Sequence, residues 1–283
     1  MTQISPSRRR IPSLAEWTKF AILILFALVI LVPIYLAVIG GFKTIGQLNA
    51  DPVGFPKPFM AENYANIFLK SRFFAYFLNS SIIMVATVAV DVTVSAMAGF
   101  ALSRFTVKTK NVIYQYFLLG LLFPMTLAIL PLYIQLRAVG LLDTFIGVIL
   151  PQTAFLLPFH IMIFRGFIKE IPTELEDAVK IDGCGKMGFF AHVVVPLSRP
   201  AIATVSVLAM VASWNNFFLP LIVLDDKDKF TLPMGSMDFV GQYLADWNVI
   251  LAFFVVSMIP AIAFYLYAQR HIVSGLAAGA VKG

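Results

Sequence analysis

Residues 20–39 run without a charged side chain, and further apolar stretches follow at 73–100, 113–133, 145–164, 201–221 and 249–267, interrupted by a single carboxylate, Asp91. About 20 residues rising ~1.5 Å each cover the ~30 Å hydrocarbon core of a bilayer. No water satisfies backbone groups there, so a spanning segment closes its hydrogen bonds within itself as a helix, or within a closed barrel. The stretches are too long for barrel strands and do not alternate apolar with polar positions. The whole chain agrees. Of 283 residues 60% are hydrophobic and 13% charged, with mean hydropathy +0.88, which leaves too little polar surface to cover a soluble globule. The expected fold class is all-α: a polytopic membrane protein with six transmembrane helices and one extended polar loop.

The first stretch follows Arg8, Arg9 and Arg10, as a secretion leader would. Its full span length, and Ala37-Val38-Ile39 in place of a small-x-small cleavage site, predict an uncleaved first span instead. Lysine and arginine accumulate on the cytoplasmic side of membrane proteins. With the N-terminus inside, Arg8, Arg9, Arg10, Lys19, Arg104, Lys108, Lys110, Arg165, Lys169, Lys180, Lys186, Arg199, Arg270 and Lys282 fall inside. Lys43, Lys57, Lys70, Arg72, Arg137, Lys227 and Lys229 fall outside. This imbalance places both terminal segments, 1–19 and 268–283, in the cytoplasm. The net charge of +6 and the pI near 9.4 therefore express topology, and without a basic soluble domain they do not point to nucleic acid. Cys184 is the sole cysteine; it excludes an intrachain disulfide and carries no metal-ligand spacing.

The most polar segment, 166–198, lies between the fourth and fifth stretches and contains "ELEDAVKIDGCGKMGFFAHVVVP". Pro172 halts the preceding chain, Thr173 suits an N-cap, and Glu176 three residues on completes a capping box. The helix so predicted has Glu174, Glu176 and Asp177 at its positive end, Lys180 toward the other, and Gly183 to stop it in a left-handed turn. Leu175, Ala178 and Val179 share one face. A helix of fewer than about 12 residues is marginal in water, so this one needs a surface to dock on. A second short helical piece is expected over 186–195 before Pro196 redirects the chain.

The run Asp177-Ala178-Val179-Lys180-Ile181-Asp182-Gly183-Cys184, with Val195-Pro196 after it, resembles the cytoplasmic EAA loop of permease subunits of binding-protein-dependent ABC importers. That loop reads roughly E-A-A-x-x-D-G-A, a spacer, then L-P; here Asp177, Val179, Cys184 and Val195 depart from it while the Asp-Gly pair is intact. The stretches "PLYIQLRAVGLLDT", "SWNNFFLPLIVL", "TLPMG" and "QRHIVSGLAAGAVKG" are similar to carbohydrate-importing permeases, the last to the ending of the second permease subunit of maltose-type and glycerol-phosphate-type systems. The resemblance implies a permease core over 73–267 with a coupling loop at 166–198, no catalytic residue and no cofactor. It also implies a homologous permease as heterodimer partner, two cytoplasmic ATPase subunits, an extracytoplasmic solute-binding protein and a sugar as cargo, in a bacterial inner membrane. In that family the loop fits a cleft on the ATPase, which assigns Glu176, Asp177, Ala178, Val179, Asp182, Gly183 and Pro196 to coupling. The alternative is a loop helix packed on its own bundle.

Other chemistry is weaker. Gly183-Cys184-Gly185-Lys186 looks like the end of a phosphate-binding loop, but Met187 stands where Ser or Thr is needed and Lys180 where a glycine is. His160, His192 and His271 are scattered, with no zinc or nucleophile-elbow motif for an intramembrane enzyme. Burying Asp91 in a span costs about 2.5–3.5 kcal/mol, which its apolar neighbours outweigh at ~0.3–0.6 kcal/mol each. With Thr87 and Ser95 one turn to either side it forms a polar stripe. It serves either as a substrate or proton site, making the chain a proton-coupled secondary transporter, or as a hydrogen-bonded interhelical contact. The absence of a second intramembrane acid or arginine to form a relay favours the contact. Trp214, Asn215 and Asn216 fall roughly 20 Å into the fifth stretch. Amides bond sugar hydroxyls and indole stacks on sugar rings, so these three suit a translocation path. Equally, the amides suit backbone carbonyls freed by the break at Pro220.

Overall fold

The computed structural model describes residues 14–241 and 245–280, with side chains for all but 14, 15, 70 and 267–280. Arg8, Arg9, Arg10 and Lys282 lie outside the described residues, as does the side chain of Arg270. The helices are α1 (Leu14–Gly41), α2 (Ile45–Ala50), α3 (Glu62–Lys70), α4 (Phe73–Arg104), α5 (Lys110–Leu119), α6 (Met125–Ala138), α7 (Phe145–Lys169), α8 (Thr173–Ile181), α9 (Lys186–Phe189), α10 (Val195–Leu197), α11 (Arg199–Trp214), α12 (Phe218–Val223) and α13 (Trp247–Ala280). No β-strand forms among the described residues.

α1, α4, α7 and α13 are continuous helices long and apolar enough to cross a bilayer, as expected. The other two expected spans are not straight. The stretch at 113–133 is split into Lys110–Leu122 and Met125–Ala138, which meet at 103°. Pro124, extended at ψ 131°, forms the elbow: it has no N–H to continue a helix, and Gly120–Leu122 tightens into a 3-10 turn before it. The stretch at 201–221 is interrupted after Trp214 and resumes only at Phe218. On its other side α11 meets the segment Lys186–Leu197 at 76°. Pro196, expected to turn the chain, sits instead inside the continuous helical run Lys186–Leu197, just after the wide turn Phe190–Val194. The break falls at Ser198 because Pro200 has no N–H for the Pro196 carbonyl.

α4 and α7 make the most extensive helix contact; α11 packs on α4, α13 on α11, and α1 on α13. The pairings Thr87 with Gln152, Asp91 with His160 and Arg104 with Ile168 advance together along both helices, so α4 and α7 run parallel. Their backbones approach closely at Gly99, where a Cβ would lie 2.7 Å from Phe164 Cβ and 3.0 Å from the Arg165 nitrogen. Two apolar clusters fill the bundle. One, around Tyr76, Leu232, Met234 and Phe253, occupies one end. The other, around Phe100, Phe164, Ile168, Phe189 and Val205, occupies the end that carries α8.

At the end opposite α8 the loops are tied down by hydrogen bonds. Asn79 Nδ2 donates to the Asp228 carbonyl at 2.8 Å and the Phe230 carbonyl at 3.0 Å, and Tyr76 donates to Asp238 at 2.7 Å. The "TLPMG" stretch is thereby pressed into the core, with Leu232 and Met234 fully buried. Asp143, from "GLLDT", holds φ +54°. Its carboxylate accepts the Asp225 and Asp226 N–H groups at 3.1 Å each and pairs with Lys229, which holds the Asp143 carboxyl below the usual carboxylate range. α1 stands apart: its side chains are exposed along most of its length and buried from Ile39 to Gly41, where it meets α13.

The Gly99 contact makes a direct prediction. Gly99→Val forces α4 and α7 apart against backbone as well as side-chain atoms, and overpacking of this kind costs about 1–3 kcal/mol. A thermal melt of the purified protein should show a lowered midpoint, whereas Gly166→Val on the same helix pair, with nothing within 4 Å of its Cβ position, should change it far less.

Candidate functional site

Midway along the bundle, between the two apolar clusters, α4, α7 and α11 bury a layer of polar side chains. In hydrocarbon such groups must satisfy one another. Gln152 is the hub. Its Nε2 donates to Thr87 Oγ1 at 2.9 Å and Ser213 Oγ at 2.6 Å, and its Oε1 accepts from Asn216 Nδ2 at 2.6 Å. Asn216 Oδ1 in turn accepts the Leu219 N–H at 3.3 Å and so caps the start of α12. One turn further along α4, Asp91 Oδ2 lies 2.6 Å from His160 Nδ1, both side chains 1% exposed or less. Ser95 donates to the Asp91 backbone carbonyl at 2.6 Å. Asp91 therefore makes an interhelical contact whose partner is one of the three scattered histidines. Its other oxygen is buried without a hydrogen-bond partner among the described residues.

Trp214, Asn215 and Asn216 are adjacent in sequence and diverge in space. Trp214 is 4% exposed and packs edge-on between Phe77 and Phe264, each ring centroid 5.6 Å away. Asn215 is exposed, while Asn216 turns inward to Gln152. Trp214 and Asn215 together line two adjoining clefts of about 300 and 260 Å3, walled by Pro233, Phe254, Met258 and Ala261 on one side and Met210 and Tyr265 on the other. The chain breaks here because Pro220 cannot donate to the carbonyl of Asn216. The resulting gap frees the amide of Asn215 to face the clefts.

At the α8 end the polar loop forms a short helix that begins on Thr173, one residue earlier than a Thr173 cap requires. Pro172 stands before it and no side-chain hydrogen bond caps it. Glu176 is drawn elsewhere: its carboxylate, 14% exposed, lies 3.4 Å from Lys180 and 4.0 Å from Arg104. Gly183 ends the helix as expected, at φ +78°. The Gly183 N–H bonds the Lys180 carbonyl and the Cys184 N–H the Val179 carbonyl, each at 3.0 Å, which is the two-bond left-handed helix stop. Val179 packs on the apolar cluster at the α8 end, whereas Asp177, Ala178, Asp182, Gly183 and Pro196 are exposed and Ile181 is 87% exposed.

Arg104 joins α8 to the bundle. From the end of α4 its guanidinium donates to the Ile168 carbonyl at 2.7 Å and to the Ile171 carbonyl, and it faces Glu176. It thereby caps the C-terminus of α7 with positive charge. Gln152, His160, Ser213 and Arg104 were not among the residues expected to matter. Sequence offers only a weak sign of the first two, polar side chains inside an apolar stretch.

Residues 91–277 match the family described as binding-protein-dependent transport system inner membrane component. The chain belongs to this family. It is similar to the diacetylchitobiose uptake system permease protein NgcG of Streptomyces coelicolor, 34% identical over 93% of this chain and 87% of that one. It is similar also to the arabinooligosaccharides transport system permease protein AraQ of Bacillus subtilis, 31% identical over 92% of this chain and 93% of that one. A solved bacterial ABC transporter involved in import of the acidic polysaccharide alginate shares the fold, with TM-score 0.78, 21% identity, and coverage of 92% of this chain and 99% of that one. Membership makes the chain a membrane component of a transport system, not an enzyme, and displaces the proton-coupled transporter as a reading of Asp91.

The buried pair carries a testable cost. His160→Leu strands the Asp91 carboxylate and should destabilise the protein by about 3–5 kcal/mol. Asp91→Leu combined with His160→Leu removes both partners and should recover much of that loss. Thermal melts of the three purified proteins measure the difference, and equal losses in the single and double variants would count against the pairing.

Proposed function

We propose that this chain is one of two homologous permease subunits that together form the path for a sugar or sugar derivative. Two ATPase subunits dock at the α8 end, and a solute-binding protein delivers cargo at the opposite end. The observation that carries the reading is α8 itself. A helix of nine residues is too short to hold alone, yet it is fixed to the bundle by Glu176 and Val179 while Ala178, Ile181, Asp182 and the glycine stop face outward. This is a surface shaped for a cleft on another protein. Carbohydrates named for the relatives support sugar as the cargo class.

In this reading the α8 end is cytoplasmic, because Arg104, Lys110, Arg165, Lys169, Lys180 and Lys186 gather there. α1 has its buried last turn at the opposite end, against the start of α13, which supports placing the start of α1 and the end of α13 on the cytoplasmic side. Closure of the ATPases displaces α8. Arg104 passes the displacement to the ends of α4 and α7, which move as one because Gly99, the Asp91–His160 pair and the Gln152 hub lock them together. α11 is bonded to that hub through Ser213, so the clefts beside Trp214 and Asn215 change shape in step. Asn215 offers an amide to sugar hydroxyls, Trp214 forms the apolar wall, and Asp91 and Asn216 hold the helices that frame the path.

Gly183→Val puts a β-branched residue at a left-handed position and strains the α8 stop. The variant should insert normally yet lose co-purifying ATPase and ATP-driven uptake; unchanged co-purification and uptake would remove α8 from the coupling role. The two asparagines should separate. Asn215→Ala should alter uptake rates across a series of sugars at matched membrane levels with the assembled complex retained, and Asn216→Ala should lower the yield of assembled complex by loosening the Gln152 hub. Identical sugar profiles for wild type and Asn215→Ala would take Asn215 out of the path.

A further inference from the structure

A third cleft, of about 380 Å3, lies away from the proposed path, at the α8 end of α4. Met97, Phe100, Phe105, Met187 and Phe190 line it, together with one cation, Lys186. The Lys186 ammonium stands 4.3 Å over the Phe105 ring, and the Lys110 ammonium donates to the Phe105 carbonyl at 3.2 Å. Among the described residues neither lysine has a carboxylate within ion-pair distance. Glu176 shares a smaller cleft with Lys186 but is engaged by Lys180 and Arg104. Met187 is 64% exposed and Met97 44% exposed, so the apolar walls are open to the surroundings.

The level of this cleft in the bilayer follows from α4. Its 32 residues span about 48 Å, longer than the ~30 Å hydrocarbon core and close to the 40–45 Å thickness that includes the headgroups. Phe105 and its two lysines therefore sit at headgroup level, and Met97, about two turns earlier, sits among acyl chains. An apolar trough that opens at acyl depth and ends at phosphate depth beside the Lys186 ammonium, with the Lys110 ammonium at the Phe105 carbonyl and neither charge met by a carboxylate, is complementary to an anionic bilayer lipid. We propose that the cleft binds one anionic phospholipid, with an acyl chain along Met97, Phe100 and Met187 and the headgroup phosphate between Lys110 and Lys186. The proposal shares with the function above only the placement of the α8 end at a membrane surface. A lipid held here bridges α4 to the segment that carries α9, next to the helix proposed to couple.

The test uses the assembled transporter in nanodiscs of equal phosphatidylglycerol and phosphatidylcholine, with retained lipid measured by native mass spectrometry. Wild type should retain phosphatidylglycerol in preference to phosphatidylcholine. The double variant Lys110→Gln, Lys186→Gln should retain about thirtyfold less phosphatidylglycerol, as expected for two lost juxtamembrane cations, with phosphatidylcholine unchanged. Equal phosphatidylglycerol retention by both would overturn the site. A photo-crosslinker at Met187 supplies an independent readout: adducts with lipid support the site, and adducts with a protein subunit in place of lipid overturn it. ATP-driven uptake is measured on the same complexes reconstituted into sealed vesicles of the same lipids, so a complex that keeps the lipid preference without taking up sugar would refute the function and leave the lipid site standing.

Discussion

The contact on which the rest of the structure depends is the parallel pairing of α4 with α7. It is set by a missing side chain: at Gly99 the two backbones come closer than any Cβ would allow. In lipid the hydrophobic effect does little to bring helices together, since acyl chains are as apolar as leucine, so close packing and buried hydrogen bonds must supply the attraction. The pair uses both. The glycine contact lies toward the α8 end, and the Asp91–His160 and Thr87–Gln152 bonds lie in the middle. Each would be costly to leave unmade, because the alternative partner in hydrocarbon is nothing.

From that pair the remaining elements take their positions. α11 is fixed through Ser213 to the Gln152 hub, and Asn216 extends the same hub to the first turn of α12. At one end the guanidinium of Arg104 gathers the C-terminus of α7 and the side chain of Glu176; at the other, Asn79 and Ser80 of α4 receive the loop that carries Leu232. The Arg104 contacts, the apolar cluster of Phe100 and Phe164, and the polar layer at Asp91 and Gln152 thus follow one another along α4, from the outward-facing helix α8 toward the clefts at Asn215. This continuity gives the proposed coupling a physical route through elements that are packed and bonded.

The isolated chain is also visibly incomplete as a surface. α1 exposes apolar side chains from Phe20 to Val32, and the bent pair α5 and α6 exposes Leu119, Leu122, Phe123, Leu127 and Leu130. α5 buries no residue and is held chiefly by Arg165, which stacks on Tyr114 at 3.8 Å and bonds Asn111. Acyl chains suit such faces as well as a second permease does, and the elbow at Pro124 leaves them on the outside of the bundle. A membrane around the chain, with the proposed partner subunit against part of it, accounts for an apolar exterior that no water-soluble protein would tolerate.

Features governed by solvent or by local chemistry were legible in the sequence. The hydrocarbon core dictates the length of each apolar stretch, so the four continuous spans fall where their composition says. The α8 stop is equally local, because a left-handed position selects glycine and Gly183 sits at the end of the helix it closes. The family was legible for the same reason: its motif lies in one short exposed loop. Tertiary structure decided whatever depends on residues distant in the chain. Asp91 and His160 are 69 positions apart, and although His160 alone of the three histidines lies inside an apolar stretch, nothing in the local pattern names Asp91 as its partner. Glu176 faces inward because Arg104 waits there, which no capping rule could foresee. Trp214, Asn215 and Asn216 read as one cluster, but the end of a helix rotates neighbours to different sides, and only the positions of Phe77, Gln152 and the open cleft determine that the first is packed, the second exposed and the third bonded within.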